Sequence, residues 1–170
     1  MKTQKSARFL LMIYLLVLIW ILLFKVTISL GDLIHSLNQS RSVNLIPFQA
    51  STIINGKIGL MEITYNFLIF VPFGGLLGIV NKEKSFLTEV LWIAGFSLGI
   101  EILQFILGVG ASDVTDLLTN TTGGVAGLLI YQLLRQLFSE TKLDRFLVLL
   151  GGVLFTVCIG FVVFLLIYNL

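Results

Sequence analysis

Long apolar runs separated by short polar breaks set the pattern of this chain. The runs are Phe9 to Phe24, about Ile63 to Val80, about Phe86 to Leu107, about Val114 to Leu134, and Phe146 to Tyr168. A hydrocarbon core of about 30 Å takes about 20 helical residues at 1.5 Å each, so the pattern predicts five transmembrane helices. Lys2, Lys5 and Arg8 precede the first run, which ends at Lys25 without a small-x-small cleavage pattern. It reads as an uncleaved anchor, with Lys25 snorkelling to the far interface. Pro72 lies inside the second run and predicts a kink or a re-entrant break there. Residues 26–61 are the one long connection. Leu45, Ile46 and Phe48 surround Pro47 within it, which suggests a segment lying on the membrane or tucked into the bundle. The chain thus reads as a single all-α integral membrane domain over 1–170. Its core covers about 40–135, with peripheral helices at about 9–25 and 146–168.

Composition agrees. Of 170 residues, 57% are hydrophobic and 12% charged, and the mean hydropathy is +1.03, well outside the soluble range. No basic patch is interleaved with aromatics, so nucleic acid is not an expected partner. The lone Cys158 sits in an apolar run, cannot form an intrachain disulfide and reads as a small hydrophobe. No zinc-type Cys/His cluster occurs, and His35 has no partner pattern and is given no role. Charge placement sets the orientation. Lys2, Lys5 and Arg8, then Lys82 and Lys84, then Arg135, Lys142 and Arg145 all fall on one side of a five-span chain. The positive-inside rule makes that side cytoplasmic, with the N-terminus in, the C-terminus out and the 26–61 loop outside.

The polar residues inside the runs change the picture most. A carboxylate in hydrocarbon costs about 2.5 kcal/mol or more, so such groups are functional candidates by default. Glu101 lies 15 residues into the third run, roughly 22 Å up a core of about 30 Å. Gln104 lies further out, Asp113, Asp116 and Asn120 open the fourth run, and Asn66 starts the second. These six converge on the outer side. Ser97, Glu101, Gln104 and Gly108 share one helix stripe, and Asp113, Asp116, Asn120, Gly123 and Gly127 share another. Two such stripes joined by a short link predict an antiparallel hairpin with the polar faces together, capped by Asp113 or Ser112. Three small-xxx-small pairs, Gly74/Gly78, Gly95/Gly99 and Gly123/Gly127, predict close helix packing among spans two to four. Glu62 and Glu89, at span ends, are expected to be solvated.

These residues carry a family resemblance. Asn66-Phe67-Leu68-Ile69-Phe70-Val71-Pro72-Phe73-Gly74 resembles the N-x-x-x-F-x-P-x-G of the VanZ-like, teicoplanin-resistance family. Glu101 and Gln104 resemble its E-x-x-Q. Asp113, Asp116, Asn120 and Gly123 resemble its D-x-x-D-x-x-x-N-x-x-G, and Asn44-Leu45-Ile46-Pro47-Phe48 its N-L-I-P-F. Many members carry an Arg just before the Asp-x-x-Asp, where this chain has Val109-Gly110-Ala111-Ser112. The resemblance implies a multi-pass protein of the bacterial cell membrane. It also implies lowered susceptibility to teicoplanin-type glycopeptides without remodelling of their D-Ala-D-Ala target.

Three functions compete on the residues. In the first, the outer polar site binds a membrane lipid, a lipid-linked wall precursor or a glycopeptide, with Phe67, Phe70, Phe73 and Phe105 along the apolar part. In the second, the acids serve an intramembrane enzyme acting on a lipid-linked envelope substrate. No cofactor is evident, although a divalent cation would suit three carboxylates, and no catalytic residue is assigned. In the third, the acids are a proton relay in a small transporter, weakened by the lack of an inverted repeat. Oligomeric state has no sequence signal.

Overall fold

The computed structural model describes residues 2–24, 42–48, 53–54, 57–58, 60–109 and 111–168. The stretch 25–41, with Lys25, His35 and Arg41, lies outside the described residues, as does Gly110. Five helices carry the fold: α1 (Lys2–Phe24), α2 (Leu60–Val80), α3 (Phe86–Leu107), α4 (Val114–Leu137) and α5 (Glu140–Tyr168). Each contains a stretch long and apolar enough to cross a membrane. Four short strands accompany them: β1 (Ser42–Asn44), β2 (Ile53–Ile54), β3 (Lys57–Ile58) and β4 (Ala111–Asp113).

Local chemistry explains the helix ends. The Ser85 hydroxyl caps α3 by accepting the Thr88 N–H at 3.3 Å. Gly108 ends α3 in the left-handed region at φ 64°, its N–H donating to Phe105 C=O at 3.3 Å. That conformation suits glycine and reverses the chain towards α4. Asp113 caps α4, its Oδ1 accepting the Thr115 N–H at 2.7 Å. The α3–α4 link is therefore held at both ends by caps, and the two helices fold back as a hairpin.

One of the two alternatives at Pro72 and one helix boundary differ from the sequence expectation. α2 runs unbroken through Pro72, so there is no re-entrant break. Proline removes one backbone donor, a loss the surrounding bundle tolerates. α5 begins at Glu140, inside the stretch 135–145 expected as a charged loop. Its first turns carry charge because Lys82, on the α2–α3 turn, pairs with Glu140 at 2.5 Å and with the buried Asp144. Tyr131 donates its hydroxyl to Asp144 at 2.8 Å. Burial alone would lower the Lys82 ammonium, but its hydrogen bonds to Asp144 and Glu140 and their charges outweigh that and raise its pKa.

α2 and α4 form the closest pair and run parallel. A Cβ added at Gly123 would lie 2.1 Å from the Phe67 carbonyl oxygen, one at Gly127 1.9 Å from that of Val71, and one at Gly74 1.8 Å from that of Gly124. The two backbones touch, as small residues allow in lipid. Gly78 faces the Tyr131 ring at 2.6 Å on the same measure. Gly95 and Gly99 are a correction to the packing expectation. An added Cβ at either meets nothing within 4 Å, because the opposite face of α3, through Ile93 and Ser97, turns towards α4.

Phe70, Phe73 and Phe96 bring three rings within 5.2–6.2 Å of one another at the centre of the bundle. α1, expected as peripheral, buries Ala7, Leu10, Leu11 and Leu18 in that core, and Tyr14 donates to the Ile69 carbonyl at 2.5 Å. α5 packs mainly on α1, while Val153, Leu154, Val157 and Phe161 stand exposed, a lipid-facing surface in a membrane protein.

Candidate functional site

β1 pairs in parallel with β4, placing Ser42 opposite Ala111 and Asn44 opposite Asp113. The pairing lays the 42–48 segment across the start of α4. Phe48 donates its N–H to Thr115 Oγ1 at 2.9 Å and takes a positive φ of 63° to do so. Such a backbone in a bulky residue persists only where the surroundings hold it. Leu45, Ile46 and Phe48 themselves remain exposed.

Beneath this segment the polar residues meet. Asn44 Nδ2 donates to Asp113 Oδ2 at 3.2 Å. The Asp113 N–H donates to Glu101 Oε2 at 2.9 Å, and Glu101 is only 4% exposed. Asn66 Nδ2 donates to Asp116 Oδ1 at 2.8 Å, tying α2 to α4. One turn or more deeper, the buried Asn120 donates its Nδ2 to Ser97 Oγ at 3.1 Å. Gln104 turns to the other side of α3 and donates to the Leu22 carbonyl of α1 at 3.0 Å. A polar column thus descends from the 42–48 segment along the α2, α3 and α4 seam.

Two of its acids are met by neutral donors. Glu101 and Asp113 take N–H groups of the backbone or of an amide, and no lysine or arginine among the described residues pairs with either. Two acceptors are left over, since the buried Gln104 Oε1 and Asn120 Oδ1 have no hydrogen-bond partner among the described residues. An unmade bond at a buried carbonyl costs about 1–3 kcal/mol, so each presents a standing demand for a donor. No group of three or more His, Cys, Asp or Glu side chains among the described residues is arranged to hold a metal ion.

Of the six residues expected together, Asn66, Glu101, Asp113 and Asp116 meet at one end of the bundle, Asn120 lies deeper, and Gln104 stands against α1. Asn44, Ser97 and Thr115 complete the constellation. Asn44 was legible only as a motif member and Thr115 not at all, because their contacts depend on a 69-residue and a 67-residue separation. Phe70 and Phe73 lie in the core, whereas Phe105 is exposed at 38%, so the four phenylalanines do not form one lining. Glu89, expected in solvent, is buried at the other end of α3. Its spacing of eight from Ser97 and twelve from Glu101 put it on their stripe, and that was the missed signal.

The VanZ/LLP1 family pattern matches residues 11–135. Protein VanZ of Enterococcus faecium is 39% identical over 145 residues, covering 85% of this chain and 85% of that protein. No solved structure matches.

Proposed function

The chain belongs to the VanZ/LLP1 family, and from that membership and the polar column we propose that it lowers susceptibility to teicoplanin-type glycopeptides by binding a lipid or drug at an outer-leaflet site. The observation that carries the reading is the meeting of Asn44, Asn66, Glu101, Asp113 and Asp116 at one end of the bundle. The parts come from four stretches of chain far apart in sequence. Keeping carboxylates at membrane depth is costly, and a purely structural role would be met more cheaply by apolar packing.

On this reading the end holding the column faces outwards, as the lysine and arginine positions at the other end support. The exposed Leu45, Ile46 and Phe48 rest at the outer interface. The ligand's polar head enters beside Asp113 and Asp116 and offers donors, while its apolar part follows the exposed surfaces of α2 and α3. Native mass spectrometry of the purified protein tests this. Wild type should retain a wall-precursor lipid or teicoplanin, and Asp116→Asn and Glu101→Gln should retain less. Equal retention by all three, or none by wild type, contradicts the proposal.

A further inference from the structure

The opposite end of the bundle holds a polar cavity, of about 90 Å³, between the α2–α3 turn and the last turns of α4. Asn81, Lys84, Glu89, Tyr131, Gln132 and Arg135 are among the residues that line it. It lies just over three helical turns, about 18 Å, from the outer cluster, since Glu89 stands 12 residues before Glu101 on the same helix.

The charges around the cavity are unevenly used. Lys82, which also lines the cavity, pairs with both Glu140 and Asp144. Arg135 meets Glu140 through Nε at 3.7 Å, which leaves its two terminal nitrogens. The Lys84 ammonium enters no hydrogen bond or ion pair among the described residues. Glu89 is the anomaly. It is 4% exposed, it lines the cavity, and its carboxylate accepts no hydrogen bond among the described residues. A buried carboxylate calls for an N–H or O–H donor. The cavity therefore offers one carboxylate that accepts no hydrogen bond, with the charge of Arg135 acting on it, and two cationic groups with donors to spare. Leu87 and Leu91 of α3 and Leu133 and Leu137 of α4 are exposed at the same end of the bundle.

We propose that this cavity binds the headgroup of a phospholipid carrying a primary ammonium and a phosphate. The ammonium donates to Glu89, the phosphate lies against Lys84 and Arg135, and the acyl chains run along α3 and α4. Each charge of the headgroup meets a group of opposite sign, and basic groups between helices at a membrane interface are suited to lipid phosphates. A quaternary ammonium has no N–H and cannot satisfy Glu89. A phosphoglycerol headgroup has no cation for it.

The test uses the full chain in nanodiscs and lipids of identical acyl chains. Phosphoethanolamine, its mono-, di- and trimethylated forms, and phosphoglycerol are compared by native mass spectrometry of retained lipid. Wild type should retain phosphoethanolamine roughly tenfold over the trimethylated form, the discrimination one charge-assisted hydrogen bond supplies. Retention should fall as N–H groups are lost. Glu89→Gln should bring the ratio near one, and Lys84→Gln should weaken all headgroups alike. The methylation series needs no variant, so equal retention along it in wild type overturns the proposal even if a variant fails to fold. An unchanged ratio in folded Glu89→Gln overturns it too. Full displacement of the lipid by equimolar glycerophosphoethanolamine would overturn the assignment to a lipid.

Discussion

Gly123→Ala tests how packing sustains the polar column. The added Cβ would lie 2.1 Å from the Phe67 carbonyl oxygen, where real Cβ contacts essentially never fall below 3.0 Å. α2 and α4 must therefore part by about 0.9 Å, the difference of those distances. The obstacle is backbone, so no side chain can swing aside. Overpacking of this kind costs about 1–3 kcal/mol. The same movement stretches the Asn66–Asp116 bond from 2.8 Å to about 3.7 Å, beyond hydrogen-bonding range. Gly95→Ala is the control. It meets nothing within 4 Å and replaces a poor helix former by the best, a gain of up to about 1 kcal/mol. Thermal unfolding of both purified variants in one detergent reads the difference. Gly123→Ala should melt several degrees below wild type, with Gly95→Ala at or above it. Equal melting of the two variants would refute the packing argument.

Other substitutions probe single contacts. Lys82→Met leaves Asp144 buried without its cation and should cost about 3–5 kcal/mol in denaturant-unfolding measurements. Adding Asp144→Leu should recover most of that loss, and no recovery would discount the ion pair. A double-mutant cycle of Ser97→Ala and Asn120→Ala should return a coupling of about 0.6 kcal/mol, the usual size between membrane helices. A value near zero would remove the deep tier from the account. Asp113→Ala removes the α4 cap and should cost about 1 kcal/mol and speed hydrogen exchange of the first α4 turn, whereas Asp113→Asn should retain the cap. Identical exchange in both would separate Asp113 from that end of the helix.

How far the sequence could be read depended on the kind of signal. The five spans were legible because an apolar run in lipid must satisfy its own backbone groups, and the helix is how it does so. The start of α5 was not, because Glu140 and Asp144 look like loop residues until Lys82, some 60 positions earlier, is brought beside them. Glycine pairs gave a period but not a facing direction. Gly123 and Gly127 meet a backbone, while the identically spaced Gly95 and Gly99 look outwards. Spacing placed Ser97, Glu101 and Asn120 on inward stripes, yet it could not supply their partners. The β1–β4 pairing that brings Asn44 to Asp113 joins two three-residue strands, too short to show any alternation. Glu89 lies near a span end, yet α3 turns it inwards with Ile93 and Ser97, so it is buried.

The central claim is that the outer polar column is a working site and not internal glue. Teicoplanin susceptibility in a deletion host, complemented with wild type, Asn66→Leu, Glu101→Gln, Asp116→Asn or Asn120→Ala, tests it most directly, with membrane protein level measured for each. Deletion should raise susceptibility, wild type should restore resistance, and the four variants should fail to restore it at normal protein level. Full complementation by all four at that level would contradict the claim.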